Sequence, residues 1–246
     1  MKKTRVCILL LVFCLLPACA QMRFDVSFGS DGANTPGIVA ESDIPADVYR
    51  DSWARLPTVQ RENLDAAGKE AFDTYVSPGT GYETGLRGPI GMWMNSPELA
   101  KAIFPLRQRV RYGTDKDQRL TELIIISTAR EIDNQYEYSA HEPAARTAGL
   151  EEEILAIVKY RRSLDSTNVP GLGRTEKVFI QFVREVVSEP KVSAETFASA
   201  IEIFGNEGVT DVVGLVGYYS LVAMTLKAFD VQRQPGSELY LPERSN

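Results

Sequence analysis

The chain has 246 residues, 44% of them hydrophobic and 24% charged, which excludes a disordered, collagen-like or coiled-coil protein and allows one large domain or two small ones. The formal net charge is −6, and there is one histidine, so zinc sites with several histidine ligands and haem or copper centres with two imidazoles cannot be built within one chain. All three cysteines, Cys7, Cys14 and Cys19, lie close to the N-terminus.

Those cysteines sit in a leader. Residues 1–5 (MKKTR) form a basic start, and 6–16 (VCILLLVFCLL) form an apolar stretch too short to span a bilayer. Two cleavage readings stay open for a signal peptide over 1–20. Ala18-Cys19-Ala20 fits ordinary signal peptidase, and Leu16-Pro17-Ala18-Cys19 resembles a bacterial lipobox in which Cys19 becomes the lipidated first residue. Either route exports the chain, to the periplasm or to a membrane-anchored lipoprotein; a retained anchor helix is the third reading. Removing Lys2, Lys3 and Arg5 from 27 basic residues leaves 24 against 33 acidic ones, a net charge of −9. So acidic a domain excludes nucleic acid as a partner, and leaves a membrane only through a lipid anchor. With Cys19 removed or lipidated, no thiol remains for a disulfide or a nucleophile.

Residues 21–63 are rich in Ser, Pro, Asp and Gly and read as an N-terminal arm. A helical domain is expected over 64–234, followed by a tail over 235–246. Its first helix covers 64–76, and 77–95 is a Gly-rich irregular loop carrying Trp93, with no dinucleotide or phosphate-loop spacing. Ser96-Pro97 gives a helix start, with Leu99, Ala102, Ile103, Leu106 and Val110 as its buried stripe. A helix over 117–131 turns Leu120, Leu123, Ile124 and Ile126 inward. The next, over 133–148, ends at Gly149, and Pro143 should kink it or split it just after His141. A short helix over 151–161 and a polar loop follow. Phe179, Phe182, Val183 and Val186 make one further stripe, and Phe197, Ile201 and Phe204 another. Residues 211–229 are apolar on nearly every face, as in a central or interface helix; Asp211, Lys227, Gly214 and Gly217 argue against a membrane span. No segment shows strand alternation. The fold class is all-α.

The lone His141 shares a helix face with Glu137 four residues before it and Asn134 seven before it, and Tyr138 borders that face. On the preceding helix Glu122 interrupts an aliphatic run (LTELIII), where a dehydrated carboxylate needs a partner or a raised pKa. One carboxylate and one imidazole able to exchange a proton can catalyse. A satisfied structural histidine with Glu122 at the edge of its stripe is the other reading.

The residues Glu122, Asn134, Glu137 and His141 reproduce the frame Glu-x11-Cys-x2-Cys-x3-His of alkylhydroperoxidase D-like proteins, with both cysteines replaced. Around them, Arg111-Tyr-Gly-Thr114, Arg119-Leu-Thr-Glu122-Leu, Tyr136-Glu-Tyr-Ser-Ala-His141 and Ala148-Gly-Leu150 resemble the carboxymuconolactone decarboxylase family, with Tyr138 where that family usually has Trp. Gly217-Tyr-Tyr-Ser-Leu-Val222 and Ala228-Phe-Asp resemble its last core helix. The resemblance spans most of 88–230.

It implies antiparallel helices packed around a long apolar C-terminal helix, usually assembled as a homo-oligomer, with a pocket for a small-molecule substrate near the histidine. The thiol peroxidase branch needs the dithiol that Asn134 and Glu137 replace, so that activity is not carried over. The other branch decarboxylates a carboxylated lactone with no cofactor and no metal. By that resemblance His141 is the proton donor or oxyanion stabiliser, Glu122 tunes it or shuttles the proton, and Glu137 is a pocket acid. Arg111 anchors a substrate carboxylate, with a solvated charge or an interface ion pair the alternative; Asn134 lies in the substrate site, and Tyr138 and Trp93 are pocket walls, with core packing the alternative for Trp93. The competing function is a non-catalytic periplasmic binding protein on the same fold.

Overall fold

In the computed structural model, which describes residues 36–242, the Asp65 carboxylate accepts a hydrogen bond from Gly68 N and starts α1 (Ala66–Tyr75). The stretch expected to be irregular contains a second helix, α2 (Gly88–Trp93), with Pro89 in its first turn. Ile90, Met92 and Trp93 are buried there, so tertiary burial, which the glycine content conceals, forms this helix.

The next helix, α3 (Pro97–Tyr112), begins at Ser96 as expected, although the serine side chain makes no capping hydrogen bond. Its buried face is Ala100, Ile103, Arg107 and Val110; Leu99, Ala102 and Leu106 point outward. Of the expected stripe Ile103 and Val110 are buried, and the face is rotated away from Leu99, Ala102 and Leu106. Close approach to the last helix sets the true phase, since a Cβ on Gly214 would lie 3.1 Å from Val110 Cγ1.

Asp117 accepts from Leu120 N to start α4 (Gln118–Ile132), whose residues from Thr121 to Ala129 are all buried. After a tight turn at Asp133, which has φ +58°, comes α5 (Gln135–Thr147). It runs through Pro143 without the expected split. Glu142 and Ala145 on either side are fully buried, and Glu142 is held by Arg146 at 2.7 Å and Lys159 at 2.9 Å, so packing outweighs the lost backbone bond.

The remainder is α6 (Glu152–Lys159), α7 (Arg174–Ser188) and the 35-residue α8 (Ala194–Ala228), interrupted at Gly205, whose φ of +65° suits glycine. The two aromatic and aliphatic stripes expected between 197 and 229 thus belong to one long helix with a break. Among the described residues α8 alone is long and apolar enough to cross a membrane; here Val212, Leu215, Val216 and Val222 are buried in the core.

The helix α4 packs against α5, α6, α7 and α8, while α1 and α8 flank α3. The fold is all-α with a long apolar C-terminal helix, as expected. From residue 36 onward the segment read as an arm lies on the helices: Arg55 N donates to Phe229 O, and Gln232 N donates to Trp53 O. A two-residue pairing, β1 (Gly37–Ile38) with β2 (Glu238–Leu239), is antiparallel, a small exception to the absence of strands. The leader 1–20 and Cys19 lie outside the described residues.

Candidate active site

Asn134 builds the local scaffold of the site. Its side-chain oxygen accepts from Glu137 N at 2.9 Å, starting α5, and its amide donates to Ala223 O of α8 at 3.3 Å. Asn134 therefore fixes the helix that carries Glu137 and His141, and it does not line the cavity beside them. One turn on, the 3.6-residue period sets Glu137 and His141 on the same face.

The imidazole of His141 is clamped. Its Nδ1 lies 2.6 Å from Glu122 Oε2, reached across from α4, and its Nε2 lies 3.1 Å from Glu137 Oε1. Both carboxylates are almost fully buried, and both need a donor; only the imidazolium carries an N–H on each nitrogen. Burial opposes the charged ring, but the hydrogen bonds and charges of Glu122 and Glu137 outweigh it, and the His141 pKa is held above the ordinary histidine value. Tyr219 meets the ring edge-on at 5.2 Å between centroids. With both nitrogens engaged, the trio is arranged for proton transfer, and among the described residues no group of three His, Cys, Asp or Glu side chains is placed to hold a metal ion.

Behind Glu122 stands Arg111. Its Nη2 donates to Glu122 Oε1 at 3.0 Å, and its Nη1 donates to the Tyr219 hydroxyl. Burial raises the Tyr219 pKa well above that of an ordinary tyrosine, despite Arg111, so the phenol stays protonated. Since its oxygen accepts from Arg111, its own O–H is left to donate elsewhere.

A cavity of about 290 Å³ opens over this trio. Glu137, His141, Arg111 and Tyr219 line it, whereas Glu122 lies on the far side of the imidazole. Four more tyrosines, Tyr82, Tyr112, Tyr136 and Tyr218, line the walls, and burial pushes the Tyr136 pKa up to about 12. Arg107 joins them from the inward face of α3.

Two residues expected in the walls are elsewhere. Tyr138 is fully buried beside Glu142, because it sits about 100° around the helix from Glu137, on the core side; Tyr136 takes the wall position. Trp93 is in the core, its Nε1 donating to Thr225 Oγ1 at 2.8 Å and its ring edge-on to Tyr218. Tyr219, Tyr136 and Arg107 were not among the sequence candidates. The Gly217-Tyr-Tyr-Ser run marked the neighbourhood of Tyr219, but Arg107 lay hidden under the misphased stripe.

The fold is that of the alkylhydroperoxidase D-like class. Two solved structures share it: a cysteine-to-alanine variant of the debrominase Bmp8 in complex with 2,3,4-tribromopyrrole, at 14% identity, and an alkylhydroperoxidase AhpD core protein described as peroxidase-related, from Ralstonia eutropha JMP134, at 15%. Each superposes with a TM-score of 0.56; the first covers 72% of this chain and 90% of its own, the second 74% and 92%. No family model matches the sequence, and no curated protein matches it.

Proposed function

We propose that this chain is an exported, cofactor-independent enzyme of the carboxymuconolactone decarboxylase type, acting on a small carboxylated or lactone-type molecule by general acid/base proton transfer. The observation that carries this reading is the imidazole of His141 held between Glu122 and Glu137 at the edge of a tyrosine-walled cavity. In the reaction the C–C bond to a carboxylate breaks, CO2 leaves, and the electron pair stays on the substrate as a dienolate. The Tyr219 hydroxyl donates to the dienolate oxygen, and His141 delivers its Nε2 proton to carbon. Glu137, which shares that proton, and Glu122 behind the ring restore the imidazolium by relaying a proton from water.

No cysteine follows Cys19 in the sequence, which leaves the site without the thiols that peroxidase chemistry on this fold would use. Two structural neighbours are described as a debrominase and a peroxidase-related protein, and this supports a catalytic use of the fold without specifying the reaction. Turnover of a panel of carboxylated lactones by the mature domain, compared with His141→Ala and Glu122→Gln, tests the proposal. Loss of turnover in both variants is expected. Equal behaviour of all three proteins with ligand binding retained would favour a binding protein. The mass of the native N-terminus, lipidated Cys19 or free Gln21, reports the export route.

A further inference from the structure

The buried charges around the cavity do not balance. Arg107, Arg111 and the His141 imidazolium face only two carboxylates, Glu122 and Glu137, and the exposed Arg87 at the rim adds a further cation. The excess is located at Arg107. This side chain is 6% exposed, yet among the described residues no carboxylate lies within ion-pair distance of it. Its Nη2 donates to Thr80 O at 3.0 Å and more weakly to the Tyr112 hydroxyl at 3.4 Å, while its Nη1 is buried without any acceptor.

Even the half-buried cations of this protein are treated differently. Arg111 is paired with Glu122, Arg119 with Glu151 and Glu176, and Lys159 with Glu142. A buried guanidinium without a counter-ion is costly to the folded chain, because neither a carbonyl nor an aromatic face supplies a formal negative charge. The rings of Tyr82 and Tyr112 each lie 5.4 Å from the Arg107 guanidinium carbon, and all three residues are among those that line the cavity.

We propose that Arg107 is the anchor for the carboxylate of a small planar acid, whose body lies among Tyr82, Tyr136, Tyr218 and Tyr219 toward His141. A guanidinium with a free donor matches a carboxylate in charge and shape. The anchored carboxylate is one that the reaction leaves in place: an ion pair lost in the transition state would raise the barrier. Only this last statement rests on the proton-transfer reading of His141; the anchor itself does not. Arg111, engaged with Glu122 and Tyr219, orients the acid/base group.

Calorimetric binding of benzoate and 2-furoate, each against its neutral amide, tests the anchor on the tag-free mature chain. The acids are expected to bind about ten- to hundredfold more tightly than the amides. Arg107→Gln should abolish the preference, whereas His141→Gln should keep it within a few fold; thermal melts check that both variants are folded. If Arg107→Gln does not fold, Arg107→Lys replaces it and should keep part of the preference. Acid and amide binding alike, no binding of either acid, or a preference surviving in Arg107→Gln each overturn the anchor. A wild-type chain that prefers the acids but turns over no lactone acid leaves the anchor standing and removes the enzyme reading.

Discussion

Glu122 Oε2 lies 2.6 Å from His141 Nδ1, and the other oxygen of the same carboxylate receives Arg111 at 3.0 Å. One buried carboxylate from α4 thus joins the imidazole of α5 to the guanidinium of α3. Removing it leaves two buried cations without their shared partner. Glu122→Ala is therefore expected to lose about 3–5 kcal/mol of stability. Glu122→Gln keeps the shape and one acceptor oxygen and should lose much less. Chemical denaturation with an unchanged slope checks both; an Ala variant as stable as the wild type would remove the carboxylate from its structural place.

Asn134 gives a different signature. As the cap of α5 it stabilises the helix that aims Glu137 and His141 without lining the cavity. Asn134→Ala is expected to cost about 1 kcal/mol, and Asn134→Ser, another good cap, to restore most of it. Acid binding to the cavity should change little in either. A large loss of affinity at unchanged stability would give Asn134 the substrate contact that its position beside the histidine suggested.

How much of this was legible in the sequence follows from where each contact originates. Glu137 and His141 are one turn apart in a single helix, so their shared face follows from the helical period alone. Glu122 was legible as an acid inside an aliphatic run, and 117 as the place where its helix starts. Contacts made across helices were not. The phase of α3 is set by contacts across helices such as that of Gly214 with Val110, so Arg107, between Leu106 and Gln108, was left outside the expected stripe. Tyr136 and Tyr138 differ only in which side of α5 meets the core, a choice fixed by Glu142 and its partners. The helix α2 forms because the core covers it, which no local glycine and proline pattern could announce.

The clamp also predicts how stability depends on pH. Folding raises the His141 pKa, so the histidine contributes its full stabilisation below the unfolded value of about 6.5. That contribution is lost as pH rises from there through the higher folded pKa. The groups facing the ring are Glu122, Glu137 and Tyr219, with Arg111 one contact behind. The wild type should therefore lose stability on that alkaline flank relative to His141→Gln. Parallel stability–pH curves for the two proteins would contradict the clamp.

The most direct test uses the fact that the chain has one histidine, so in a tag-free protein its imidazole signals need no assignment. A two-dimensional proton–nitrogen NMR titration should show His141 with a pKa above 6.5 that falls in both Glu122→Gln and Glu137→Gln. A histidine that titrates at or below 6.5, or is unmoved by either variant, would contradict the poised imidazolium on which the proposed chemistry depends.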